Sequence, residues 1–232
     1  MRASGEEQSV RTAGYVTPSS LAGRTRAWLG AVRASVPPRP GFELDPERCA
    51  LLVIDMNRYF AHPDGRCYLP ATEAIAPRIE ALLSAWRARG GTVVLTRHGH
   101  EGPDDLGMMG RFWDDYIRAG EPEAEVVPHL APAEGEIVLG KTTYDAFIGT
   151  DLERMLRESK VEQVLVTGVL THMCCETTAR SAFCRGFEVY VAADGTATSS
   201  EERHLNSLLA MADSVAVVLS VDEVLERCAR TG

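Results

Sequence analysis

With 232 residues, 45% of them apolar, the chain is long enough to close one globular domain around a sizeable core. Its net charge of −9 excludes unaided nucleic-acid binding, which needs Lys and Arg to neutralise phosphates. No stretch approaches the roughly 20 apolar residues of a membrane-spanning helix, and the opening MRASGEEQSVRT lacks the hydrophobic run of a secretory leader. A cytoplasmic protein with no membrane partner is therefore expected.

In chain order, residues 1–19 are polar and irregular and read as a loose arm. LAGRTRAWLGAVRAS (21–35) has a helical apolar rhythm through Leu21, Trp28, Leu29 and Val32, and Pro37, Pro38 and Pro40 stop any helix beyond it. Residues 1–45 thus form an N-terminal arm with a short helix, expected to pack on the domain or on a partner subunit; residues 46–232 form the domain. There, CALLVID (49–55) is an apolar run ending in a carboxylate, as expected of a strand buried on both faces. An amphipathic helix over 71–90 closes at Gly90, and TVVLTRH (92–98) is the second strand. Residues 104–118 are partly helical, EIVLGK (136–141) is a short strand and 151–160 a helix. QVLVTGV (163–169) is another buried strand. A helix near 173–185, the strand 187–194, a helix near 200–212, the strand 214–220 and a last helix complete the chain. Six apolar strands separated by helices imply an α/β fold, a three-layer α-β-α sandwich around a mainly parallel, Rossmann-like sheet. Ligands in such folds bind at the carboxyl ends of the strands. Asp55, Lys141 and Cys174 all fall at that edge.

Each of the three also has a bland reading. The six cysteines show neither a disulfide framework nor a CxxC zinc pattern, so most should be reduced and buried. Cys174 and Cys175 could be small core residues like most free cysteines. Alternatively, Cys174 could be a nucleophile on a turn capped by Thr171, where a helix N-terminus favours thiolate and offers unpaired N–H groups. Asp55 could be a general base or a loop cap, since a carboxylate at the end of an apolar strand is costly to bury unpaired. Lys141, one of only two lysines, could pair with Asp55 or point into solvent. His98 and His100, spaced by two, suit a zinc pair but more often serve as polar lining.

The segments LLVIDMNRYF, GKTTYDAFIGTDLERML and VLVTGVLTHMCCETTARSAFCRGFEVYVAADGTATSS together resemble the isochorismatase-like hydrolase superfamily, over about residues 48–226. The resemblance implies a six-stranded parallel sheet, a homodimer or homotetramer, and a small-molecule substrate. It places the nucleophile on Cys174, its carboxylate on Asp55 and its ammonium on Lys141. It also implies a non-proline cis peptide at Val169–Leu170, an oxyanion hole from the N–H groups of Leu170 and Cys174, and substrate contacts from Phe60, His98, Trp113, Tyr144 and His172. Two branches compete. GMMGRFWDDY, HLAP and the Lys141-x-x-Tyr144 spacing are similar to isochorismatases, which hydrolyse a vinyl ether with the aspartate as acid but carry Gly where this chain has Cys174. The CCE pair is similar to amidohydrolases acting on carbamoyl and ureido compounds. Cys174 favours a cysteine hydrolase that cleaves a C–N bond through a thioester. A lowered thiol pKa is expected from the neighbouring ammonium. Nicotinamidases of the superfamily add a metal on an Asp-x-His pair; here Thr96 stands two residues before His98, so neither metal nor cofactor is expected. A non-enzymatic member that binds a ligand through the same cavity is the third class.

Overall fold

The computed structural model describes residues 14–230. Residues 1–13 of the expected arm lie outside them. The described elements are α1 (Leu21–Ser35), β1 (Cys49–Ile54), α2 (Arg58–Ala61), α3 (Thr72–Ala88), β2 (Val93–His98), α4 (Met109–Phe112), β3 (Ile137–Lys141) and α5 (Leu152–Glu158). After these come β4 (Gln163–Val169), a π-helical turn (Thr171–Cys175), α6 (Glu176–Cys184), β5 (Glu188–Ala197), α7 (Glu201–Ser214), β6 (Ala216–Leu219) and α8 (Val221–Arg230).

The six strands form one sheet in the order β3-β2-β1-β4-β5-β6, and every pairing is parallel. This follows from the sequence pattern. β1 and β4 are buried at every position, so both of their faces must be covered by helices, and each parallel step needs a crossover long enough to hold one. Right-handed crossovers put α3, which leads leftward from β1 to β2, on the opposite face from α6 and α7, which lead rightward. Each fully buried Leu, Ile or Val of these strands contributes roughly 1.5–3 kcal/mol of burial free energy. Trp86 on α3 is sealed in the core, and its indole N–H donates to the Cys49 carbonyl at 2.9 Å. β1 and β4 approach so closely that a Cβ on Gly168 (φ +99°) would stand 2.0 Å from the Ile54 carbonyl oxygen; only glycine fits there.

The apolar set anticipated for α1 is the buried one: Leu21, Trp28, Leu29 and Val32. The helix packs on α7 and on β5 and β6 as part of the main core. Strand order reverses between β1 and β4, since neighbours run leftward to β2 and β3 and rightward to β5 and β6. Such a switch point leaves a crevice at the carboxyl ends of the strands. Among the described residues, no helix is long and apolar enough to cross a membrane.

Candidate active site

Asp55 follows β1 directly, in a left-handed backbone conformation (φ 46°) that a non-glycine residue seldom adopts. A single hydroxyl holds it there. Thr96 Oγ1, on β2, accepts the Asp55 N–H at 3.0 Å and donates to Asp55 Oδ1 at 2.6 Å. Lys141 ends β3, paired in register with His98 at the end of β2. Its ammonium lies 2.6 Å from Asp55 Oδ2, 2.9 Å from the Thr143 carbonyl, 3.4 Å from His98 Nδ1 and 3.4 Å from Cys174 Sγ. The solvent-pointing alternative for Lys141 is excluded, because the residue is 3% exposed. Asp55, Lys141 and Cys174 therefore meet at one point, although 33 residues separate Lys141 from Cys174 and β1 lies far upstream of both.

Cys174 sits on the π-helical turn that joins β4 to α6. A cis peptide links Val169 to Leu170, as anticipated. The Leu170 carbonyl accepts the N–H groups of Met173 (3.0 Å) and Cys175 (3.2 Å). The expected cap by Thr171 does not form: its hydroxyl pairs with His204 Nδ1 of α7 at 2.9 Å instead. Of the six cysteines, which are all free, Cys49, Cys174 and Cys175 are buried, whereas Cys67 and Cys184 are exposed, so burial is less general than expected.

The charge states differ from the sequence expectation at the thiol. Burial works against the Asp55 carboxylate, yet Lys141 and His98 and the bonds from Lys141 and Thr96 hold its pKa below the usual range. Burial likewise opposes the Lys141 ammonium, but Asp55 and Cys174 hold its pKa above its ordinary value. For Cys174, burial pushes the pKa up to about 12, and the nearby ammonium only partly counters it. The expected lowering is thus overturned: desolvation and the Asp55 charge outweigh the ammonium. Ionising this thiol to solvent would place two anions beside one ammonium, whereas passing its proton to Asp55 keeps a single anion there.

A cavity of about 630 Å³ opens onto Cys174. All five side chains anticipated as substrate contacts line it: Phe60, His98, Trp113, Tyr144 and His172, together with Leu170 and Cys174. Trp113, 40% exposed, is therefore cavity wall and not core; its indole N–H donates to the Tyr144 hydroxyl at 2.7 Å. His172 Nδ1 lies 2.6 Å from Thr198 Oγ1. Sequence reasoning missed Tyr59, Met109, Met173 and Arg203 on the same wall. Met173 adjoins Cys174 and Arg203 lies in the first turn of a helix that starts at the carboxyl edge of the sheet, so a strand-end rule applied to every loop would have found both. Nothing in the sequence singles out Tyr59 or Met109.

The residues do not fit a metal held by an Asp-x-His pair. Thr96 carries no charge and its hydroxyl is committed to Asp55. His98 Nδ1 faces the Lys141 ammonium, which would repel a cation, and His100 Nδ1 lies 3.3 Å from Asp105. Among the described residues, no three His, Cys, Asp or Glu side chains form a candidate ligand set.

Two outcomes follow from this wiring. Thr96→Val keeps the shape but strands the Asp55 N–H and one carboxylate oxygen. It is expected to cost about 1–3 kcal/mol, read as a lower urea midpoint, together with most of the turnover. The buried imidazoles set the second. Burial lowers the pKa of His98 to about 4, with Lys141 adding to the effect, and burial lowers that of His204 to about 4. An unfolded histidine binds its proton near pH 6.5, so the unfolded state holds more protons between these values. Stability is complete above about pH 6.5 and falls as pH drops toward 4. Urea midpoints measured from pH 8 to pH 4 should decline from about 6.5 downward; a flat profile to pH 5 would contradict the neutral, buried assignment.

A doubly wound parallel sheet with a thiol, a carboxylate and an ammonium gathered at its switch point has the architecture of an α/β enzyme. Residues 49–223 match the isochorismatase domain family. Nicotinamidase 3 of Arabidopsis thaliana is 34% identical over 181 residues, covering 75% of this chain and 86% of that protein. Isochorismatase of Bacillus subtilis is 32% identical, covering 79% of this chain but only 59% of that protein, so this chain spans less than two thirds of it. Among solved structures, the cysteine hydrolase of Pseudomonas syringae pv. phaseolicola superposes with a TM-score of 0.80 at 30% identity, covering 84% of this chain and 99% of that one. The chain belongs to the isochorismatase-like hydrolase superfamily, and the protein is a hydrolase.

Proposed function

We propose that the protein is a cysteine hydrolase that cleaves the C–N bond of a small amide, carbamoyl or ureido compound through a thioester on Cys174. The contact of Lys141 Nζ with both Asp55 (2.6 Å) and Cys174 Sγ (3.4 Å) carries this reading. The thiol gives its proton to Asp55 as sulfur attacks the carbonyl carbon. The negative charge moves from carboxylate to sulfur and then to the carbonyl oxygen, always near the same ammonium, so no second charge has to be buried. The N–H groups of Leu170 and Cys174 receive the oxyanion. Asp55 returns the proton to the leaving nitrogen as the C–N bond breaks. Water then attacks the thioester, Asp55 takes its proton, and sulfur leaves and is reprotonated.

The Trp113–Tyr144 wall and the isochorismatase relative favour a second reading, vinyl-ether hydrolysis with Asp55 as acid. That chemistry needs a protonated carboxyl in the resting enzyme, and Asp55 is held ionised by Lys141 and Thr96. In the thioester scheme the thiol supplies the missing proton. The test is to incubate the protein with primary amides, ureido acids, carbamoyl compounds and isochorismate, and to measure ammonia and pyruvate. Ammonia release is expected; pyruvate release alone would replace this reading with the second. Arg203 on the cavity wall gives a carboxylate-bearing substrate a charged partner. Arg203→Ala should therefore raise KM for acidic substrates about tenfold or more, in line with charged hydrogen bonds of roughly 1.5–3 kcal/mol, and leave KM for neutral amides unchanged.

A further inference from the structure

The family match begins at Cys49, yet the chain ahead of it reaches the site by two routes. The first runs through α7. His204 Nδ1 bonds Thr171 Oγ1 at 2.9 Å, and Ser207 Oγ lies 3.2 Å from the Thr171 carbonyl, so α7 grips the first residue of the turn that carries Cys174. His204 is fully buried. Its ring meets Trp28 of α1 edge-on, with centroids 4.5 Å apart, and Tyr15 at 5.9 Å. Trp28 is fixed in turn, because its indole N–H donates to Glu201 Oε1 at 2.9 Å. Arg24 donates to both oxygens of the same carboxylate, at 3.0 and 2.9 Å. The second route starts at the Tyr15 hydroxyl, which accepts the Thr198 N–H at 3.3 Å. Thr198 Oγ1 holds His172 Nδ1 at 2.6 Å, and His172 is cavity wall.

The two routes end on consecutive residues, Thr171 and His172, at the head of the nucleophile turn. Packing alone would need neither polar link. We infer that Trp28 and Tyr15, outside the family domain, are positioning residues of the active site: Trp28 sets the nucleophile turn through His204, and Tyr15 sets the cavity wall through Thr198 and His172. The turnover consequence rests on Cys174 being the nucleophile; the placement of its sulfur does not.

The experiment compares Trp28→Phe and Tyr15→Phe with Val32→Ala, a truncation of another buried α1 residue. For each full-length variant it records the thermal midpoint, the rate of iodoacetamide alkylation at Cys174 located by peptide mass spectrometry, and kcat and KM on any amide found to be a substrate. Misplacing reacting groups by an ångström costs up to about a hundredfold. The expected results are a change of about fivefold or more in Cys174 alkylation for both Trp28→Phe and Tyr15→Phe, a kcat about tenfold lower for Trp28→Phe, and a raised KM for Tyr15→Phe. Val32→Ala should lower the midpoint and leave alkylation at the parent rate. Parent alkylation rates in both aromatic variants would overturn the inference, whatever their midpoints. Tyr15→Phe removes one oxygen and keeps the ring, so it decides the question even if Trp28→Phe does not fold. Altered alkylation in a protein that releases no ammonia would sustain the positioning and sink the amidase reading.

Discussion

Cys174→Ala is expected to lower amide turnover by about 10⁴-fold to 10⁶-fold, the scale on which a covalent nucleophile fails when removed, while leaving the protein folded. The thiol sits on a turn whose backbone is held from elsewhere: the Leu170 carbonyl takes two N–H groups and Thr171 is bonded to α7. None of those bonds uses the sulfur. Cys174→Ser should be nearly as inactive, because a hydroxyl holds its proton more tightly than the thiol and Asp55 is a weak base. Steady-state rates of both variants, set beside circular dichroism and urea midpoints, check this. A Cys174→Ala protein that still cleaved the amide at near-native rate would mean that the sulfur is a bystander and that no thioester forms.

Lys141→Met is expected to be the most destabilising single change at the site. It removes the ammonium from a carboxylate whose side chain is wholly buried, and an uncompensated buried charge costs about 3–5 kcal/mol. The protein would respond by protonating Asp55. Its folded pKa then rises above the unfolded value, so the variant gains stability as pH falls and loses it as pH rises through that raised pKa. The parent shows no such fall: its Asp55 pKa is lowered, so that carboxylate affects stability only below about pH 4, and from pH 5 to about 6.5 its buried imidazoles make stability rise with pH. Adding Asp55→Asn to Lys141→Met removes the stranded charge and should recover much of the loss, with no recovery of turnover. Urea denaturation of the parent, the two single variants and the double variant at pH 5, 7 and 8.5 measures all of this. A Lys141→Met protein as stable as the parent, with the parent's pH slope, would show that the pair is not buried as described.

The fold was legible because its signal is one-dimensional. CALLVI and QVLVTGV are apolar at every position, which marks strands covered on both faces, and the helices between them leave few topologies. The site was legible in part for the same reason, since Asp55, Lys141 and Cys174 end or follow strands. What pattern could not supply was desolvation. The ammonium beside Cys174 was visible in the sequence, but how thoroughly the thiol is cut off from water was not, and burial reverses the direction of its pKa shift. Thr171 shows a related limit. Its position suits a cap, yet His204, 33 residues further on, claims its hydroxyl. Thr96 looked like the mere absence of an aspartate; only the folded chain reveals it as the bond that holds Asp55 in a left-handed conformation.

Covalent attachment of the acyl group to one sulfur is tested most directly by intact-mass spectrometry of an acid-quenched reaction. With an amide substrate that releases ammonia, the protein should gain the mass of the acyl group, peptide mapping should place it on Cys174, and the adduct should be absent from Cys174→Ala and disappear as substrate is exhausted. Rapid turnover with no added mass at any quench time, or an adduct on another residue, would contradict it.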